Sequence, residues 1–192
     1  CKTFGKHHPY FCDKSSSDSS QATSLSTNSS SDVILKTMIV KGKNMEDISI
    51  VEDNCSTDNY VAIHATERLK LKPIRDVVLQ IEGINSVKQI DSSVYLVPIR
   101  RKDSKLEYIE CYGLQRITEQ CAPLDPDMYG NICKELGVDA GEVRRPENID
   151  ILLSSRSNHL MSDEVLSTSG GLKLYSGPLG KTISGNAEMF TS

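Results

Sequence analysis

Of the side chains here that could do chemistry, Asp53 has the most informative surroundings. It lies in "SIVEDNCSTDNYV" (residues 49–61), where an alternating stretch ends in an acidic pair, small and polar residues follow, and an apolar stretch resumes. That pattern ends a strand at Asp53 and delivers its carboxylate into a turn of small side chains, whose backbone amides can close around it. Two such carboxylates brought within a few Å cannot both ionise comfortably, so they share one proton. One then activates a water molecule while the other protonates the group being cleaved. The competing reading is a solvated turn aspartate, and Asp53 alone does not decide between the two.

The other reactive side chains carry less. Glu52 and Asp58 read as solvated charges flanking the turn, and these acids around Cys55 disfavour a nucleophilic thiolate there. A Cys55–His64 dyad requires His64 to lean toward the turn, whereas its neighbours Val61 and Ala65 place it beside an apolar helix face. Asp150, just before the apolar run "ILLS", is expected at solvent or at a strand edge. "IRRK" (99–102) and "RRP" (144–146) read as solvated basic edges. Near the start, "HHPYFC" puts four residues between His7 and Cys12, the H-x4-C half of a zinc knuckle, with Cys1 as a further thiol. Cys1, His7 and Cys12 give zinc three ligands where a closed structural site takes four.

Those residues need a frame. The chain has 192 residues, 38% of them hydrophobic, with no Trp and three Phe, so a core of Leu, Ile and Val is expected. A net charge of −4 argues against nucleic acid as a partner of residues 32–192, and no apolar run reaches the roughly 18–20 residues of a membrane span. The sequence begins with Cys and has no signal-peptide pattern, which reads as a piece of a longer, intracellular and cytoplasmic polypeptide. Cys55, Cys111, Cys121 and Cys133 then read as reduced thiols.

Composition divides the chain into a Cys/His cluster at 1–14, a linker at 15–31, a folded domain at 32–186 and a tail at 187–192. Ten serines in the seventeen positions of the linker leave too little to bury to offset the entropy of ordering. In the domain, "DVILKTMIV" (32–40), "DISIVE" (47–52), 75–101 with a break at Gly83, and "KLEYIECYGL" (105–114) read as strands. The spacing in "NYVAIHATERLKL" (59–71) predicts a helix ended by Pro73, and 125–138 a second short helix ended by Gly137. "NIDILLSS" (148–155) is a buried strand, and two short strands close the domain. The expected fold is mainly β, a closed barrel or folded sheet with two short helices.

The order of these segments adds a resemblance. "EDNCSTDNYV", "IEGINSVKQIDSSVYLVPI", "CYGL", "EVRRPENIDILLSS" and "LKLYSGPLGKTISG" resemble, in order, the retropepsin-like aspartic peptidase domain of Pao/BEL-type retrotransposon polyproteins. The likeness spans residues 33–186. It implies a catalytic Asp53, an active-site loop of Asn54, Cys55 and Ser56, and a flap at Gly83, Ile84 and Asn85. It also implies a loop-supporting strand at Leu152, Leu153 and Ser154. With one such loop per chain, the second carboxylate comes from Asp53 of another copy in a two-fold homodimer, acting without a cofactor on a polypeptide substrate, the chain's own polyprotein. The Cys/His cluster resembles what remains of the zinc knuckle that precedes this domain, with Phe4 where a Cys stands before Gly-Lys. The sequence departs from the family at Cys55 and Ser154, where glycine is usual, and at Asn54, where a hydroxyl is usual. Two other readings therefore stand beside an active endopeptidase: an inactive relic serving as a structural or dimerisation module, and a nucleic-acid-binding fragment built on residues 1–14.

Overall fold

The computed structural model describes residues 33–82, 87–117 and 124–187. The expected zinc ligands Cys1, His7 and Cys12, the linker at 15–31, the flap tip Gly83, Ile84 and Asn85, and most of the tail at 187–192 lie outside the described residues.

The architecture is mainly β. Strands β1 (Val33–Ile34), β2 (Thr37–Gly42), β3 (Asp47–Asp53) and β4 (Tyr60–Ala62) lead into helix α1 (Ile63–Arg68). A long antiparallel pair follows, β5 (Pro73–Glu82) with β6 (Val87–Arg100), then β7 (Leu106–Leu114) and helix α2 (Pro126–Glu135). Strand β8 (Ile151–Ser154) runs into a 3-10 turn (Ser155–Leu160), and β9 (Asp163–Ser167), β10 (Lys173–Gly177) and β11 (Gly180–Asn186) complete the domain.

Seven strands make the main sheet in the order β2-β3-β8-β4-β7-β6-β5, and β1-β11-β10-β9 make a second. The main sheet folds back on itself until β2 meets β6, but only through Lys41 opposite Arg100 and Gly42 opposite Ile99. It is a folded sheet and not the closed barrel that was the other expectation: a two-residue seam leaves β5 as a free edge. Its core gathers Ile48, Ile50, Val61, Val97, Ile99, Ile151, Leu152 and Leu153. A second core lies between α2 and the smaller sheet, around Ile132, Leu136, Leu172, Leu174 and Ile183. Helix α2 is framed as its sequence requires: the Asp125 side chain accepts the Met128 N–H at 2.9 Å, and Gly137 takes the left-handed turn (φ 63°) that ends it. Among the described residues no helix is long and apolar enough to cross a membrane.

Two expectations are corrected. Residues 59–71 are not one helix: Tyr60–Ala62 is a strand, paired on one side with β7 and on the other with β8, and only Ile63–Arg68 is helical. Glu52 is not a solvated flank charge. The period of two along β3 puts it with Ile48 and Ile50, on the face opposite Asp53. There it is buried, 2.8 Å from the Lys36 ammonium and accepting from the Ser162 N–H (3.2 Å) and hydroxyl (2.8 Å). Lys36 also donates to the Ser162 carbonyl and lies over the Tyr175 ring, so this pair ties the main sheet to the smaller one. Removing one member of a buried pair leaves the other charge stranded. Glu52→Ala is therefore expected to cost about 3 kcal/mol in urea unfolding, and Lys36→Met with Glu52→Leu to recover most of it. A loss below about 1 kcal/mol for Glu52→Ala contradicts this assignment.

Candidate active site

Strand β8 lies between β3 and β4, two strands that follow one another in the chain. It runs parallel to β3, with Ile50 opposite Ile151, Val51 opposite Leu152, Glu52 opposite Leu153 and Asp53 opposite Ser154. Its other edge pairs antiparallel with β4, Tyr60 opposite Leu152 and Val61 opposite Ile151. Bonded on both edges and covered on both faces, β8 needs a continuous apolar sequence, and Ile151, Leu152 and Leu153 are fully buried. Burying each contributes about 2 kcal/mol. Because β8 holds β3 and β4 apart, residues 54–59 must arch over its end, which puts Asp53 where the arch begins.

The arch closes on the Asp53 carboxylate. The Cys55 N–H donates to Oδ1 (2.9 Å) and the Ser56 hydroxyl to Oδ2 (2.8 Å), while the Ser56 N–H donates to the Asp53 carbonyl (3.3 Å). Ser56 is fully buried, and its own carbonyl accepts the Ser155 N–H (3.1 Å) and hydroxyl (2.8 Å) from just past β8. Asn54 and Cys55 are exposed on the outer side of the arch. Cys55 is not among the described non-glycine residues with positive φ, which are Met45, Lys70 and Ser104. The turn therefore asks for no glycine at 55: it uses that residue's amide and leaves its thiol outside.

Asn59 is the residue that the sequence did not reveal. Buried to 2% exposure, it accepts on Oδ1 from the Ser154 N–H (2.9 Å) and hydroxyl (3.0 Å) and contacts the Ser157 hydroxyl (3.2 Å). Its Nδ2 donates to the Glu110 carbonyl on β7 (3.1 Å) and to Ser157 (3.0 Å), and its carbonyl accepts the Tyr112 N–H. One amide thus pins the arch to β8, the 3-10 turn and β7. Ser154, which stands where the resembled family has glycine, is fully buried, and its hydroxyl also accepts the Arg156 N–H (3.2 Å). A polar amide before "YVA" is the only local signal, and its partners lie 51 to 98 positions away.

Other candidates fall elsewhere. His64 does not pair with Cys55; its Nε2 lies 3.2 Å from Asp150 Oδ1. Asp150 does not face solvent: it is buried, taking the Ser49 N–H (2.9 Å) and the Arg68 guanidinium (2.5 Å), and so fixes the start of β8 to β3 and α1. Asp58 pairs with Arg156 at 3.0 Å, and His159 meets Glu107 at the surface. Cys55, Cys111 and Cys133 are free thiols, and burial pushes the Cys111 thiol well above its ordinary range. Among the described residues no cluster of His, Cys, Asp or Glu is arranged to hold a metal ion. Two open surface depressions, one at Asp76, Val78 and Asp91 on the β5–β6 pair and one at Asp47, His64 and Asp150, do not include Asp53. Comparison of the chain with protein-family models and with curated proteins finds no match.

Two measurements check this geometry. Asn59→Ala orphans buried groups on three elements and should cost about 3 kcal/mol in urea unfolding, against less than about 0.5 kcal/mol for exposed Asn54→Ala. Equal losses would show that Asn59 does not hold the arch. Burial, then Asp58 and Tyr112, pushes the Tyr60 phenol up to about 12. Because the folded state holds this proton more tightly than the unfolded chain, its contribution is complete below about pH 10 and is lost as pH rises through about 12. Ultraviolet titration should show a late phenolate step near pH 12 that disappears in Tyr60→Phe, while the Tyr129 phenol, which burial pushes up further, keeps its own later step.

Proposed function

We propose that residues 32–186 form a retropepsin-like aspartic endopeptidase domain of a Pao/BEL-type retrotransposon polyprotein, cutting peptide bonds within that polyprotein. The observation that carries this reading is the Asp53 arch: a carboxylate at a strand end, held by Cys55 N–H and Ser56 Oγ, beside a buried strand that ends in a small residue. The two donors bond the carboxylate from its own loop and fix its orientation. In the proposed homodimer a two-fold axis brings Asp53 of a second copy against it, and the pair shares one proton. The ionised member takes a proton from water as that water attacks the peptide carbonyl, and the protonated member delivers its proton to the departing amide nitrogen. The β5–β6 pair is the element that would cover the substrate. Its tip at Gly83, Ile84 and Asn85 is assigned from the resemblance.

The departures from the family pattern bear on turnover. The Cys55 backbone supplies its bond to Asp53 without a left-handed turn, and Ser154 is absorbed into the Asn59 network, so both replacements are compatible with the loop. Asn54 favours the second reading, a dimerisation module without turnover, since exposed at the arch it offers an amide where a linking hydroxyl is usual. Under that reading Asn54→Ser, which restores the hydroxyl, raises cleavage from near zero.

The deciding experiment incubates the full chain with a matching polyprotein segment between about pH 4 and 7. Asp53→Asn should lower cleavage at least ~100-fold, and pepstatin should inhibit the wild type. Cleavage that is unchanged in Asp53→Asn, or a strictly monomeric active species, contradicts the proposal.

A further inference from the structure

Six basic side chains gather at one end of the folded sheet, although the chain as a whole is acidic. The seam between β2 and β6 sets two turns side by side, residues 43–45 and residues 101–105. Arg100 joins them, donating to the Lys43 carbonyl (3.1 Å) and to the Ser104 carbonyl (3.0 Å). A third turn is tied in by the Lys102 N–H, which donates to the Pro178 carbonyl (2.8 Å). Met45 and Ser104 hold left-handed φ values of 68° and 66°, which non-glycine residues adopt only at a cost. The turns are therefore fixed relative to one another.

Charge at this end is only partly answered. Lys41 pairs with Asp47, Arg101 with both Asp103 and Glu107, and Lys105 with Asp103, while the Glu46 carboxylate accepts the Asn44 N–H within the first turn. Lys43, Arg100 and Lys102 carry no ion pair among the described residues, and the bonds of Arg100 go to neutral carbonyls. On the adjoining strands Arg100 lies opposite Leu106 and Pro98 opposite Tyr108, so Tyr108, 54% exposed, shares a face with Arg100. A solvated basic edge would account for the lysines alone. It would not require three unanswered charges on a stapled platform beside an exposed aromatic ring.

We infer that this end of the domain binds the backbone of single-stranded nucleic acid, with Lys43 and Lys102 on phosphates, Arg100 as a fixed positive charge between them, and Tyr108 stacked on a base. Phosphate spacing suits separate lysines, and a base supplies a partner for the ring. An anionic lipid surface would use an apolar edge to insert, and at these turns Met45 is the exposed apolar side chain. The inference does not depend on the peptidase reading, and it departs from the expectation drawn from whole-chain charge.

Fluorescence anisotropy of a labelled oligouridylate with the full 192-residue chain tests it. Three neutralised phosphates predict that log K falls against log salt with a slope of about −2. Lys43→Glu with Lys102→Glu should weaken binding at least ~10-fold and flatten that slope, and Tyr108→Ala should weaken it about 10-fold. Lys134→Glu, at an exposed position of α2, and Cys12→Ser should leave it unchanged, with circular dichroism verifying the fold of each variant. Binding that is lost in Cys12→Ser belongs to residues 1–14 and overturns the inference. So does absent binding, or binding to phosphatidylserine vesicles in place of the oligonucleotide.

Discussion

The structure turns on one constraint: a four-residue strand, β8, bonded on both edges and buried on both faces. To admit it, β3 and β4 must separate, and the chain between them must arch over its end. Asp53 opens that arch because it is the last residue of β3 and pairs in register with Ser154. Shifting β8 by one residue would turn every side chain to the opposite face and move Asp53 out of line with the strand end. Two polar anchors prevent that slip. Asp150 holds the start of β8 to Ser49 and Arg68, and Asn59 holds its end.

The polar groups beneath the arch explain how it tolerates an unusual sequence. A glycine is required where φ is positive or where a Cβ would strike a neighbour, and Cys55 meets the first test without difficulty. Ser154 brings a hydroxyl into a buried place, which would be unfavourable were it unpaired. It donates to Asn59 and accepts from Arg156, so the group is satisfied. Asn59 and Ser154 thus act as a unit, and substitutions there should not be additive.

Much of this was legible in the sequence, for identifiable reasons. Strands β3 and β8 announce themselves by alternation and by an unbroken apolar run, and α2 by its Asp125 and Gly137 ends. Tyr60–Ala62 reads as the start of a helix in the sequence because three residues carry no period of their own; they are a strand only because β7 and β8 flank them. Strand β9, "DEVLS", is exposed throughout and exists through its pairing with β10, so it left no pattern to read. At the candidate site, the turn that opens at Asp53 could be located from local sequence. Asn59, the Lys36–Glu52 pair and the burial of Asp150 could not, because each depends on partners brought from elsewhere in the chain.

The central claim is that a working site takes one Asp53 from each of two copies. Mixing wild-type chain with increasing excess of Asp53→Asn chain, after allowing exchange of subunits, tests it directly through the cleavage rate per wild-type chain. The account predicts that this rate falls as the variant fraction rises, because mixed pairs lack one carboxylate. A rate per wild-type chain that stays constant through a large excess of the variant, with exchange demonstrated, would contradict it.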